Sequence, residues 1–206
     1  MISLDVESSG LDPRSASILS IGAIDTDEPT NQFYDECRAW EGADINEEAL
    51  AVNGFSKESI SSDTSAKKTE AELIAAFVAW AMDRPQNRTL LAQNVPFDLG
   101  FVQQACKRAG IESPFAHRAL DLHTLCWMHM TLQGIEPPTA KHRTAINLKT
   151  VLEYCGLPEE PKPHNALTGA LYHAEAFVRM AYTTKLLPDF ESFDIPWQTN
   201  ATSYKS

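Results

Sequence analysis

Residues 2–6 alternate apolar and polar side chains, Ile2-Ser3-Leu4-Asp5-Val6, and Glu7 continues the pattern before Ser8-Ser9-Gly10 ends it. A period of two specifies a strand. On a strand, alternate residues face opposite ways, so Ile2, Leu4 and Val6 share one side and Asp5 and Glu7 share the other. Two adjacent carboxylates repel unless they share a cation. Ser8, Ser9 and Gly10 are turn formers that close the strand. One reading is a divalent-metal site at a strand end. Taken alone, the D-x-E spacing is better read as an edge strand with one wet face.

The rest of the chain decides between them. At 206 residues and 43% hydrophobic content it suits one domain with a full core. No apolar run reaches the roughly 18 residues that span a membrane, and the N-terminus has neither a basic region nor a signal-like apolar stretch. Cys37, Cys106, Cys126 and Cys155 are scattered, which reads as reduced core thiols and a cytoplasmic setting. A net charge of −11 argues against a protein that coats long duplexes, because such binding needs many phosphate contacts. It leaves open a site that grips a few nucleotides.

Ala16–Thr26 and Asn31–Arg38 read as strands two and three of a meander, joined by a turn at Asp27-Glu28-Pro29-Thr30. Residues 40–65 read as irregular, with a short helix over 46–52 ending at Asn53-Gly54. Helical periodicity is expected over 69–82, with Thr69 as N-cap, and over 97–109, stopped by Gly110. A short strand at 88–92 precedes the second of these helices. Another near 118–120 leads to Asp121 and a helix to Leu132. Residues 133–144 read as a loop, 146–154 as a helix and 165–184 as the last long helix. The expected architecture is α/β, a mixed sheet flanked by helices, with a domain over 1–185 and a tail over 186–206. Phe190, Phe193 and Trp197 in that tail either dock on a partner or, more simply, pack back on the domain or stay disordered.

Three stretches carry the chemistry: Asp5-x-Glu7-Ser8-Ser9-Gly10-Leu11, Asn94-Val95-Pro96-Phe97-Asp98, and His164-Asn165-Ala166-Leu167-Thr168-Gly169. In this order and at these separations they resemble the DEDD superfamily of 3′–5′ exonucleases. The resemblance is to its histidine branch, represented by the proofreading ε subunit of bacterial DNA polymerase III. That branch reads D-x-E-(T/S)-(T/S)-G-L, then N-x-x-F-D, then H-x-A-x-x-D. Asp121-Leu122-His123-Thr124-Leu125 and the stretch from Asn147 to Leu157 extend the match, which covers about residues 1–182. Any one motif is weak, and the three in series are specific. The resemblance implies a ribonuclease H-like fold with a five-stranded sheet. It implies two Mg²⁺ or Mn²⁺ ions held by Asp5, Glu7 and Asp98, and His164 as general base. It places Ser8, Ser9, Gly10, Leu11, Asn94 and Phe97 around the terminal nucleotide, and gives single-stranded DNA or RNA 3′ ends as substrate with a nucleoside monophosphate as product.

The chemistry agrees with this. Hydrolysis of a phosphodiester needs an activated water, stabilised oxyanions and a base. Two metal ions about 4 Å apart supply the first two, hard cations take carboxylate oxygens, and a histidine suits the third. Lys141, His142, Arg143 and Lys149 form a small basic cluster that meets either a nucleic-acid backbone or solvent. His117, His123 and His129 recur every six residues and so do not share a helical face, which argues against zinc. Asp121 reads as a helix cap.

One position departs from the pattern. Gly169 stands where the family has its last metal-binding aspartate. Three readings account for it: an aspartate replaced to silence cleavage, an enzyme that uses water or a neighbour such as His173 at i+4, or a module that binds ends or a partner protein without cutting.

Overall fold

The computed structural model describes residues 1–61, 67–84 and 87–200. The expected irregular stretch 40–65 and tail 186–206 therefore lie partly outside the described residues. The sheet has five strands in the order β3-β2-β1-β4-β5. β1 (Ile2–Ser8), β2 (Ile18–Asp25) and β3 (Glu28–Glu36) form the antiparallel meander, and β4 (Leu90–Ala92) and β5 (Leu120–Asp121) add parallel to β1. This is the mixed α/β sheet expected. β1 lies at its centre, so the strand is not the wet edge that D-x-E alone suggested.

The two-residue period of β1 sorts the layers. Ile2, Leu4 and Val6 pack with Leu73, Ile74 and Phe77 of α2 (Glu70–Met82) and with Phe101 and Val102 of α3 (Val95–Ala109). The other face is covered by α6 (Ala166–Tyr182), backed by α4 (Leu122–Leu132) and α5 (Leu148–Tyr154). Ser3 donates to the Ala170 carbonyl of α6 at 2.7 Å, so Asp5 and Glu7, in phase with Ser3, lie on the α6 side.

Local signals hold with small shifts. Thr69 and Glu72 form a reciprocal capping box on α2, and Asn46 caps α1 (Glu47–Asn53), which Gly54 ends in the left-handed region. α3 begins two residues earlier than expected, with Pro96 in its first turn. The β2–β3 turn is tighter than the four residues expected. β3 already begins at Glu28, because the Asp25 carboxylate accepts from the Asp27 N–H and Thr26 N–H donates to the Met1 carbonyl. Residues 133–144 are not all loop: β6 (Thr139–Ala140) pairs with β7 (Arg143–Thr144) across Lys141 and His142, both at positive φ.

Residues 186–200 lie against the domain. Leu187 and Phe190 are buried in the α6-side core, where Tyr172 meets Phe190 edge to face. Fully buried Arg179 holds the segment. It donates to Glu175 at 2.7 Å and to the carbonyls of Cys155, Phe190, Phe193 and Asp194 at 3.0–3.2 Å. The second Glu175 oxygen accepts from the Leu186 and Leu187 N–H groups at 2.9 Å. Removing one member of such a pair strands the other charge in the core, a loss of about 3–5 kcal/mol. Arg179→Leu is therefore expected to lower the unfolding free energy by about that much. Denaturant melts of Arg179→Leu and of the double variant Glu175→Leu/Arg179→Leu should show the single variant as the less stable of the two.

Candidate active site

Asp5 and Glu7 sit on β1 where the pairing with β2 slips by one residue between Glu7 and Ser8, an irregularity typical of strands beside functional sites. Asp98 comes from the first turn of α3 and is buried. Its Oδ1 accepts from the Val6 N–H at 3.1 Å, which fixes it beside the Asp5–Glu7 strand. The turn that delivers it depends on Asn94 in the left-handed conformation and on Asp121. One Asp121 oxygen accepts from the Val95 N–H and the other from the His123 N–H, both at 2.9 Å. Asp121 is thus the cap expected, and it serves two helices.

α6 supplies the opposite wall. Its N-cap Asn165 accepts from the Leu167 and Thr168 N–H groups and donates to the Tyr34 hydroxyl at 3.0 Å. The helix lies directly on the sheet at Gly22, the cross-strand partner of Asp5. A Cβ on Gly22 would overlap the backbone of Ala166 and Leu167. This contact brings Gly169 against Asp5, where a Cβ would overlap Asp5 Oδ2 and come within 2.8 Å of its Cγ. Position 169, where the resemblance expects the last aspartate, therefore faces the Asp5 carboxylate. It also means that a side chain at 169 requires Asp5 to turn away, so replacing this helix glycine does not bring the simple gain that helix propensity alone suggests.

His164, half-buried, lies on the loop before α6. Its N–H donates to the Val52 carbonyl at 3.1 Å. One residue on, the Asn53 side chain donates to the Ser8 carbonyl at 3.1 Å and hydrogen-bonds Glu7. The C-terminus of α1 thus ties the histidine loop to the carboxylate strand. His173, the neighbour considered as a substitute, instead points its Nδ1 at the Leu4 carbonyl at 3.1 Å. Burial holds it neutral, with a pKa of about 4.

The remaining expected residues form the surroundings. Ser8 and Ser9 are buried, with hydroxyls donating to the carbonyls of Gly10 and Asp44 at 2.7 Å. Leu11 is 77% exposed at the rim. Phe97 packs on Phe101 with ring centroids 5.0 Å apart. Asn94 lines a cavity of about 860 Å³ with His123, Lys141, Arg143 and Asn147. Among the described residues no disulfide forms; all four cysteines are buried and free. No helix there is long and apolar enough to cross a membrane.

Sequence reasoning missed two residues here. Gly22 interrupts an apolar strand, which is a signal for close backbone approach. Glu160 had no signal at all. It is buried on the loop before His164, with Oε2 3.9 Å from His164 Nδ1.

The electrostatics are those of crowded acids. Asp5 is raised well above the usual carboxylate range, by burial first and then by Asp98, Glu7 and Glu160. Asp98 is raised by burial, with Glu7 and Asp121 adding to it. Burial and Glu160 push Glu7 up to about 7, and burial alone pushes Glu160 to about 7. His164 is lowered by burial and by Lys162, which favours the neutral imidazole. Oxygen donors of this kind suit Mg²⁺ or Mn²⁺. As the side chains stand, among the described residues no three acidic, histidine or cysteine groups close on one point.

A sequence model of the RNase_T family, described as Exonuclease, matches residues 2–177. The 3'-5' DNA exonuclease Cap18 of Escherichia coli is 26% identical over 179 residues, 85% of this chain and 88% of that protein. Among solved structures, cell-death related nuclease 4 (CRN-4) superposes with a TM-score of 0.70 at 17% identity, over 89% of this chain and 64% of that one. E. coli exonuclease I in complex with a dT13 oligonucleotide gives 0.65 at 17% identity, over 86% of this chain. The chain spans only 40% of the length of that exonuclease I structure.

Acids whose pKa is raised on folding stabilise the fold below their unfolded pKa and lose that contribution as pH rises through the folded value. With Glu7 and Glu160 at about 7, the melting temperature in chelator is expected to fall between pH 5 and pH 7.5. For a chain of this size each kcal/mol corresponds to about 2–4 °C. Added Mg²⁺ should reverse the loss, with the gap between the two melting curves widening as pH rises. A pH-independent gap would mean that these acids do not meet the ion.

Proposed function

The chain belongs to the exonuclease family whose model spans residues 2–177, and on that premise we propose that it is a metal-dependent 3′–5′ exonuclease acting on single-stranded DNA ends. The observation that carries this reading is that Asp98 of α3 is hydrogen-bonded to the β1 backbone at Val6, between Asp5 and Glu7, while the N-terminal part of α6 walls Asp5. The DNA substrate is supported by the name of the Escherichia coli relative, and the single-stranded form by the dT13 and dA16 oligonucleotides in the exonuclease I structures. RNA ends offer the same phosphodiester and remain the second substrate of the reading.

Asp5, Glu7 and Asp98 would hold the ions. Bound Mg²⁺ or Mn²⁺ supplies charge stabilisation to the attacking and leaving oxygens and lowers the pKa of water. His164, kept neutral by its surroundings, accepts the proton of the attacking water at an imidazole nitrogen. The Ser8–Leu11 turn, Asn94 and Phe97 surround the terminal nucleotide, which leaves as a nucleoside monophosphate. Lys141, His142 and Arg143, held out on the β6–β7 hairpin, meet the backbone of the entering strand. Gly169 favours the second reading, a module that binds ends without cutting.

End-labelled single-stranded DNA and RNA, incubated with Mg²⁺, with Mn²⁺ and with chelator, separate the two. Stepwise 3′ shortening that needs metal and is lost in Asp5→Ala is the expected result. End binding without shortening in either metal would establish the silent module.

His164→Ala is expected to lower turnover by roughly 10²–10⁴-fold while leaving oligonucleotide affinity nearly unchanged. Single-turnover rates and fluorescence anisotropy measured side by side check this. A parallel loss of both would make His164 a contact for the phosphate and not the base.

A further inference from the structure

Glu159 and Glu160 are adjacent in a proline-flanked loop and have opposite fates. Glu159 is exposed and pairs with Lys149 at 3.3 Å, whereas the Glu160 side chain is only 7% exposed. Its Oε1 is buried with no hydrogen-bond partner, and its Oε2 stands 3.9 Å from His164 Nδ1, too far for a hydrogen bond. A buried carboxylate without a donor is costly, and one placed among other acids is more so. Glu160 is among them, since its charge acts on both Asp5 and Glu7. Among the described residues no lysine or arginine pairs with any of these three.

Resting on the exonuclease reading above, we propose that Glu160 is the fourth carboxylate of the metal site, in place of the aspartate that Gly169 lacks. Gly169 lies against the Asp5 carboxylate, and Glu160 is tied to the same strand through His164. It lies 3.9 Å from the His164 imidazole, and the His164 backbone N–H donates to the Val52 carbonyl, beside the Asn53 that donates to the Ser8 carbonyl. The unpartnered Oε1 is the oxygen free to bind a cation. His173 does not compete, being held on the Leu4 carbonyl.

The test is Mn²⁺ binding by calorimetry, with the Mn²⁺-induced rise in melting temperature as a second readout, on the full chain at pH 7.5. Glu160→Gln is isosteric and is expected to weaken the weaker Mn²⁺ site at least tenfold. It should leave the melting temperature in chelator equal or higher, because an unpaired buried charge is gone. Glu160→Asp, which keeps the charge but shortens its reach, should fall between. Gly169→Asp in the Glu160→Gln background should restore the lost Mn²⁺ response. A Glu160→Gln chain that binds Mn²⁺ as the parent does, or that only melts lower with its metal response intact, overturns the assignment. If that happens while Asp5→Asn abolishes Mn²⁺ binding, Glu160 alone is wrong. A parent chain with no Mn²⁺ response overturns the exonuclease reading with it.

Discussion

The site depends on a backbone contact that no side chain makes. Gly22, the residue that pairs with Asp5, lets the first turn of α6 rest directly on β2. Any larger residue there would lift the helix by the thickness of a methyl group. His164, Asn165 and Gly169 would then rise away from the strand carrying Asp5 and Glu7. Because packed interiors yield little to such volume changes, one glycine sets the depth of the cleft. The same contact explains why Asp5 and Glu7 are only partly exposed: they face a helix.

Burial makes the site electrostatically unstable by itself. Burial is the largest cause raising Asp5, Glu7, Asp98 and Glu160, and neighbouring carboxylates add to it for Asp5, Glu7 and Asp98. Such a group either takes up protons or takes up cations. The surrounding fold resists the first option through donors such as the backbone Val6 N–H on Asp98 and the Asn53 side-chain amide on Glu7. Those are few for so much charge, which is why divalent ions are the partners that fit.

The period of β1, the capping box at Thr69, the left-handed Gly54 and Gly110 and the order of the three motifs were all legible in the sequence, because each is a local signal. The β2–β3 turn and the Lys141-His142 hairpin were not, since the first is set by a side-chain bond from Asp25 and the second places two non-glycine residues at positive φ. The 186–200 segment looked like a tail because its anchor is Arg179, which in sequence is one more polar residue on a helix. Its four backbone acceptors come from residues 155 and 190–194. Glu160 was invisible for a related reason. Its role depends on which of two adjacent glutamates the loop turns inward, and composition cannot distinguish them.

α6 is therefore fixed at both ends by different means. Gly22 fixes the height of its N-terminus, and Arg179 locks its C-terminal half to the α5 C-terminus and to residues 190–194. The loop between α5 and α6 is also pinned at its ends. Gly156, at positive φ, packs against the Asp194 carbonyl, and His164 is bonded to Val52. Between these pins lies the middle of the loop, where Glu160 sits. A carboxylate carried by the helix at position 169 would have to displace Asp5 to reach an ion. A carboxylate carried by the loop can approach without moving either rigid wall, so the two positions differ in how much of the fold must move to complete the same site.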